Sequence, residues 1–372
     1  MIYAEMLIYI WILGVCNKSK LISKKITHIL IGVALIFVAG FRNPYMGMND
    51  MMTGYIPAWH LACNTKLSVI ISQYVGNANS GLKDIGFALY LKFLSFFSTN
   101  DVFFTVMSVI PYIICICFFI YKYSRNLFLS YFLFFSLNLY TCSFYLLRHI
   151  SATAMLIIAF DAVLTKKPKT FLFFVIIASM MHSTAIIFVI LYPLYHWKIK
   201  HIFKRIPKGI STLSMIGICV ILSVFGKNLL NSILLTFFSR GRFQTSGGEE
   251  GGLGRLLIAV AFLIICLYEN RKENSLNVAD NNLKKLLMLM SIITCILYAF
   301  MPFKADFHRF AKFFEYGNLV FLPNSIMNEK NKINRFTIEL ILIAIMSIYM
   351  FGRLLPGTNA LPYSFFWEPL YK

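Results

Sequence analysis

Charge is scarce in this chain of 372 residues. Asp, Glu, Lys and Arg make up 13% of it, where a soluble domain carries about a quarter. Acidic residues are the scarcest, 15 against 35 Lys and Arg. This balance excludes an ordinary water-soluble globule. Eight cysteines show no paired or metal-like spacing: Cys63 reads as lying in a loop, while Cys115, Cys117, Cys142, Cys219, Cys266 and Cys295 fall inside apolar runs. No disulfide framework, zinc site or other metal centre is expected. The glycine-rich stretch 247–252 follows no strand and lacks the Lys-Ser/Thr of a phosphate-binding loop, so nucleotide binding is not expected. Alternating ten-residue segments are missing, which excludes a membrane β-barrel. The first apolar run, Ile2–Cys16, has no basic region before it and no small-residue cleavage site after it, so it reads as a retained helix. No internal repeat is visible.

What is abundant is apolar surface: 59% of the residues are hydrophobic and 16% aromatic. The mean hydropathy is +0.71. Runs about as long as the roughly 20 helical residues needed to cross a bilayer recur throughout. Candidate spans are Ile2–Cys16, Ile26–Phe41, Val102–Tyr121, Asn126–Leu147, His149–Leu164, Phe171–Tyr195, Gly209–Gly226, Gly254–Tyr268, Lys285–Met301, Phe310–Asn328 and Phe336–Leu354. Shorter amphipathic stretches, Ile85–Phe97 and Leu229–Phe238, read as interfacial or re-entrant. The expectation is an all-α polytopic membrane protein, one integral membrane domain over 1–372 with about 10–12 transmembrane helices.

Lys and Arg concentrate in the links 17–25, 122–125, 166–169, 198–208, 271–285 and 330–335. The positive-inside rule makes these cytoplasmic. Both termini then lie on the other side, with functional loops at 42–84, 239–253 and 302–309. Such a distribution orients helices and does not imply nucleic acid. The segment Phe171–Tyr195 has basic links on both sides, so an even number of crossings is expected. A hairpin breaking at His182-Ser183 satisfies this; one long crossing against the charge rule is the alternative.

The non-cytoplasmic side gathers Arg42, Asp50, Tyr55, Asp84, Arg148, His149, Arg240, Arg242, Arg255, His308 and Arg309. Arginine in a bilayer usually faces a bundle interior and a partner. Its guanidinium is a rigid fork matched to phosphate and carboxylate, so several at one face imply an anionic ligand. Competing readings stand beside this one. Arg42 and Arg148 serve equally as helix-end anchors, Asp50 as a cap or as a partner of Arg42, and His182 as a satisfied buried histidine. Lys304 and Lys312 read as interfacial anchors.

In order along the chain come Ala39-Gly40-Phe41-Arg42, then Gly47, Asp50 and Tyr55, then Asp84-Ile85-Gly86-Phe87. Arg148-His149 opens a span running to Lys166-Lys167. His182-Ser183-Thr184-Ala185-Ile186 precedes Tyr192-Pro193-Leu194-Tyr195, and His308-Arg309-Phe310 precedes Phe313-Phe314. The chain closes on Trp367-Glu368-Pro369-Leu370-Tyr371. This series resembles the EpsG-like branch of the Wzy-type polysaccharide polymerases over nearly the whole chain. Two positions depart from the pattern, where Glu is more usual than Asp at 84 and Gln is often found at 149.

The resemblance implies polymerisation of undecaprenyl-pyrophosphate-linked repeat units into O-antigen or a related surface polysaccharide. Donor and acceptor glycan lipids are the implied ligands, with the bilayer and a chain-length regulator protein as partners and no cofactor. It places the protein in the bacterial inner membrane with its site facing the periplasm. Arg42, Arg148 and Arg309 are then the pyrophosphate residues, seconded by Arg242 and Arg255. Asp50 and His182 compete as general base, and Tyr55, Asp84, His149, Ser183 and His308 support them. O-antigen ligase and a non-enzymatic lipid-linked oligosaccharide flippase are the alternatives, with a membrane O-acyltransferase behind them.

Overall fold

A computed structural model describes residues 2–45, 50–76, 84–196, 252–271, 278–301, 306–357 and 361–368. Arg240, Arg242, Lys304, the span Gly209–Gly226, the stretch Leu229–Phe238 and nearly all of the loop 239–253 lie outside the described residues. The described helices are α1 (Ile2–Lys18), α2 (Lys24–Gly40), α3 (Ile56–Asn64), α4 (Leu67–Gly76), α5 (Ile85–Ser95) and α6 (Asp101–Tyr123). They continue with α7 (Leu127–Ser136), α8 (Cys142–Tyr145), α9 (Leu147–Leu164), α10 (Pro168–Met181) and α11 (Leu191–His196). The last are α12 (Gly252–Arg271), α13 (Val278–Ala299), α14 (Asp306–Glu315), α15 (Asn318–Ile326) and α16 (Lys332–Tyr349). No strand occurs among the described residues. Four helical segments, Asp101–Tyr123, Leu147–Leu164, Asp280–Ala299 and Lys332–Leu354, are long and apolar enough to cross a membrane. Shorter apolar helices accompany them, so the chain is an all-α, multi-pass membrane protein.

The chain packs as two compact units, residues 1–186 with 332–372, and residues 187–331. The first is built on α2, α6, α9 and α10. Side-chain oxygens of Ser23, Asn100 and Asn126 accept backbone N–H groups that open α2, α6 and α7, which is why these helices start where they do. Lys24 of α2 lies over the Tyr121 ring of α6 at 5.1 Å, and Thr105 of α6 donates to the Gly40 carbonyl at 2.7 Å. The two helices are therefore antiparallel. At the far end of α6, Lys122 meets Asp161 of α9 at 2.5 Å, and the Tyr123 hydroxyl also donates to that carboxylate. Helix α9 thus runs alongside α6 in the same direction, and α10 returns against α9.

A consequence for charge follows. The basic links 24–25, 122–125 and 166–169 gather at one end of this unit. The end of α2, the starts of α6 and α9 and the end of α10 gather at the other.

Several expected spans are broken. Asn126–Leu147 divides into α7 and α8 around Asn138, whose φ of 59° ends the helix. The freed backbone there is satisfied from its neighbours: the Tyr112 hydroxyl donates to the Leu139 carbonyl at 2.7 Å, and Asn138 donates to the Tyr145 hydroxyl at 3.0 Å. Phe171–Tyr195 breaks at His182, where φ is −151° and ψ 111°, and continues as a 3-10 helix over Ser183–Ile190. Residues 42–84, read as loop, hold a π-helical turn at Met51–Tyr55 and then α3 and α4, so Cys63 is helical.

Residues 361–368 fold back over the end of α2. Asn43 donates its N–H to the Ser364 carbonyl at 2.9 Å, and Phe366 donates to the Phe41 carbonyl at 3.0 Å. The Phe365 and Trp367 rings stack at 4.5 Å and both contact Phe37.

The second unit holds α11 to α15. Phe188 stacks on Phe314 at 5.2 Å, and the Tyr195 hydroxyl donates to the Asn282 carbonyl at 3.1 Å. The expected span Phe310–Asn328 is two helices joined at Tyr316–Gly317. A Cβ on Gly317 would meet Met290 of α13 at 3.1 Å, so the glycine lets this joint sit close against α13.

Candidate functional site

Asp84 is the centre of the first unit's polar cluster. It precedes α5 in the left-handed conformation, φ 61°, a region that non-glycine residues seldom occupy and Asp tolerates best among them. Only 4% of it is exposed. One carboxylate oxygen, Oδ2, accepts from Arg148 Nη1 at 2.6 Å. The other, Oδ1, accepts the Ser183 backbone N–H at 2.8 Å and lies 3.6 Å from His182 Nδ1. Burial alone would raise this carboxyl's pKa. The His182 imidazole, the Arg148 guanidinium and the Ser183 N–H outweigh it and hold the pKa below the ordinary carboxylate value.

Backbone geometry brings these three segments together. The break at His182 ends α10 and turns the Ser183 N–H toward Asp84. Gly86, in the first turn of α5, sits against the end of α10: a Cβ there would come within 2.8 Å of the Met180 Cβ and 2.9 Å of its carbonyl carbon. The motif Asp84-Ile85-Gly86-Phe87 thus combines a carboxylate with the close approach that lets it reach the next helix. Phe87 packs on Tyr55 at 5.7 Å. Tyr55, at the end of the π-helical turn, accepts the Arg148 backbone N–H at 3.4 Å and sets its ring 5.7 Å from the guanidinium. Such turns are frequent at functional sites. His149 is buried, its ring 5.9 Å from that of His182. Arg148 keeps 33% of its side chain exposed.

Arg42 is placed otherwise. It is 1% exposed, and its guanidinium donates to the Ala39 carbonyl and, at 3.0 Å, to the Phe144 carbonyl, with Met51 Sδ at 3.8 Å. Burial pushes its pKa down to about 10, against the opposing pull of Tyr363, Tyr140 and Tyr3, which leaves it charged at neutral pH. Its fork caps main-chain carbonyls in this structure, a different use from the pyrophosphate contact expected of it. Asp50 does not pair with it: this residue is exposed at the head of the π-helical turn and makes no side-chain cap.

In the second unit, His308 and Arg309 are half-buried in the first turns of α14, and Arg255 is half-buried near the start of α12. Lys312, expected as an interfacial anchor, is 1% exposed. It neighbours the buried Glu315, which also hydrogen-bonds with Tyr298 and lies in the field of Arg255. Sequence reasoning missed Glu315 and Tyr298. Each sits in an aromatic or apolar run, and only the helical stripe joining Lys312 to Glu315 hints that a charge faces inward.

Fold and site together define a class: an all-helical, multi-pass membrane protein with an arginine–carboxylate–histidine cluster set at the end of its first unit away from the basic links. A family model narrows this. The EpsG family, which is of the Wzy-like polymerase type, matches residues 25–365, nearly the whole chain. The chain belongs to the EpsG family and is a polysaccharide polymerase-like membrane protein. No curated protein and no solved structure matches it.

Proposed function

We propose that the protein lengthens a surface polysaccharide by transferring a glycan from undecaprenyl pyrophosphate onto the sugar of a second lipid-linked unit. The anomeric carbon's bond to the pyrophosphate oxygen breaks, and its electron pair leaves with the lipid pyrophosphate. A hydroxyl oxygen of the acceptor sugar forms the new glycosidic bond and gives up its proton. The energy resides in the sugar–pyrophosphate bond, so no nucleotide sugar or cofactor enters. Undecaprenyl-linked units with their pyrophosphate displayed outside the cytoplasm, in the periplasm of a bacterial inner membrane, are the substrates this reading requires.

The observation that carries the reading is Arg148. It is part-exposed, braced by Tyr55 and Asp84, and set away from the basic links that mark the cytoplasmic side. Its guanidinium is held by side-chain hydrogen bonds to Asp84 and Tyr55, and its exposed part is the donor proposed to meet charge developing on the leaving oxygen. Within the second unit, Arg309 and Arg255 are the cations proposed on sequence grounds for an anionic ligand, with His308 in the same turn as Arg309. Arg242 remains a candidate on sequence grounds alone. The proton falls to Asp50 or His182.

The test is elongation of a synthetic lipid-linked repeat unit by purified protein. Arg148→Ala is expected to lower the rate roughly 100-fold or more, the usual loss when one preorganised oxyanion donor is removed. Undiminished polymer in that variant removes Arg148 from the site. In cells, a null strain that displays single-unit product supports a polymerase. One that displays no product supports a flippase, and transfer only onto a lipid core supports a ligase.

A further inference from the structure

We infer that Tyr45, His60 and Asp101 form a subsite for sugar hydroxyls, separate from the Arg148 cluster, that holds the glycan of the lipid-linked unit beyond its pyrophosphate-bound sugar. The subsite rests on the glycosyl-transfer reading above and says where the sugar part of that substrate is held.

Asp101 opens α6, directly after the Asn100 that caps it. Its carboxylate stands between donors from two other segments. His60 of α3 donates from Nε2 to Oδ1 at 2.8 Å, and the Tyr45 hydroxyl donates to Oδ2. The Asp101 side chain is 17% exposed and the His60 side chain 51%, and Tyr45 is 40% exposed. Three polar groups are thus fixed against one another and still open to solvent, whereas His149 and His182 are buried. An ion pair this exposed contributes little to stability, so holding the fold together accounts for little of the arrangement.

Helix geometry sets the distance from Arg148. Helices α6 and α9 run side by side in one direction and are pinned together at Lys122 and Asp161. From that pin, Asp101 is 21 residues back along α6 and Arg148 is 13 residues back along α9. At about 1.5 Å per residue, Asp101 lies about 12 Å further from the basic links than Arg148. A short glycan spans that distance. The segment Met51–Asn64 joins the two places, since Tyr55 meets Arg148 and His60, further along, meets Asp101. The chemistry suits sugar. A carboxylate has about four acceptor sites, of which His60 and Tyr45 use two, and the rest can take the paired O–H donors of a diol. With Nε2 turned to Asp101, His60 presents Nδ1 to a further hydroxyl. The exposed Tyr45 ring offers an apolar face to the sugar's C–H side.

The full chain in nanodiscs tests this with two probes. One is the repeat-unit oligosaccharide released by mild acid from the producing cells' lipid-linked pool, and the other is undecaprenyl pyrophosphate bearing no sugar. Asp101→Asn is expected to bind the oligosaccharide roughly 10-fold more weakly, the loss of one charge-assisted hydrogen bond, and to bind the sugar-free lipid as wild type does. Arg148→Ala is expected to do the reverse. Tyr45→Phe and His60→Gln, which keep the carboxylate, should each weaken only the oligosaccharide. Wild-type protein that does not bind the oligosaccharide overturns the proposal, as do three cluster variants that all bind it like wild type. Equal weakening of both probes in all three variants assigns the cluster to structure and overturns it too. Polymer formation is scored separately: a wild type that makes no polymer sinks the polymerase reading, while the binding comparison is still decided on its own.

Discussion

Two arginines that look alike in sequence are used differently, and the difference is a matter of burial. Arg42 ends α2 and turns its fork inward onto the carbonyls of Ala39 and Phe144. Arg148 opens α9 and stays part-exposed against Asp84. Arg42→Met should strip those carbonyls of charged donors and destabilise the protein by roughly 2–4 kcal/mol, seen as a lower unfolding midpoint in detergent. Asp84 carries a pH dependence of its own. Its carboxyl is held below the ordinary value in the folded protein, so the stabilisation it contributes is complete above the unfolded pKa of about 4 and is lost as pH falls through the lower, folded value. Wild type should therefore exceed Asp84→Asn in melting temperature at pH 6, and the gap should close below about pH 4. A gap independent of pH would show that the carboxylate's charge contributes nothing.

Elements explain what hydropathy could and could not reveal. Continuous apolar runs bounded by Asn, Ser or Lys located α6, α9 and α16, because a lipid-spanning helix leaves few alternatives for its backbone. The same logic missed the break inside Asn126–Leu147. There the chain is surrounded by protein, and Tyr112 supplies the hydrogen bond that lipid would not. A break at His182 is what the hairpin reading of 171–195 placed there, although a helix break alone does not decide between a hairpin and one crossing. That Asp84 would meet it was not legible, because a contact 99 positions apart leaves no periodic trace in one sequence. Resemblance pointed to the residues, and only packing relates them. Gly86→Ala tests that packing: its Cβ would press on Met180, two residues before His182. The expected result is a loss of about 1–3 kcal/mol in stability, with weaker elongation among the molecules that still fold. Wild-type stability and rate would mean that α5 and α10 can part without harm.

At the scale of the molecule, membrane orientation turns on the two ends of the first unit. In a cysteine-free background, a cysteine replacing Lys167 should react with an impermeant maleimide only after cells are opened. One replacing Asn100 should react in intact cells. The reverse pattern would put the Arg148 cluster on the cytoplasmic side and end its proposed role with exported lipid-linked units.

The tail of residues 361–368 bears on how such a molecule is made. The Tyr363 hydroxyl reaches the Val38 carbonyl across 325 positions of sequence, so the segment that clasps the end of α2 leaves the ribosome long after α2 has entered the bilayer. Until then, Phe41 and Asn43 lack their partners at the very corner where Arg42 is stowed. Completion of this corner is thereby tied to synthesis of residues 361–368, and a nascent chain stalled before residue 361 would carry an unlatched edge at the end of α2.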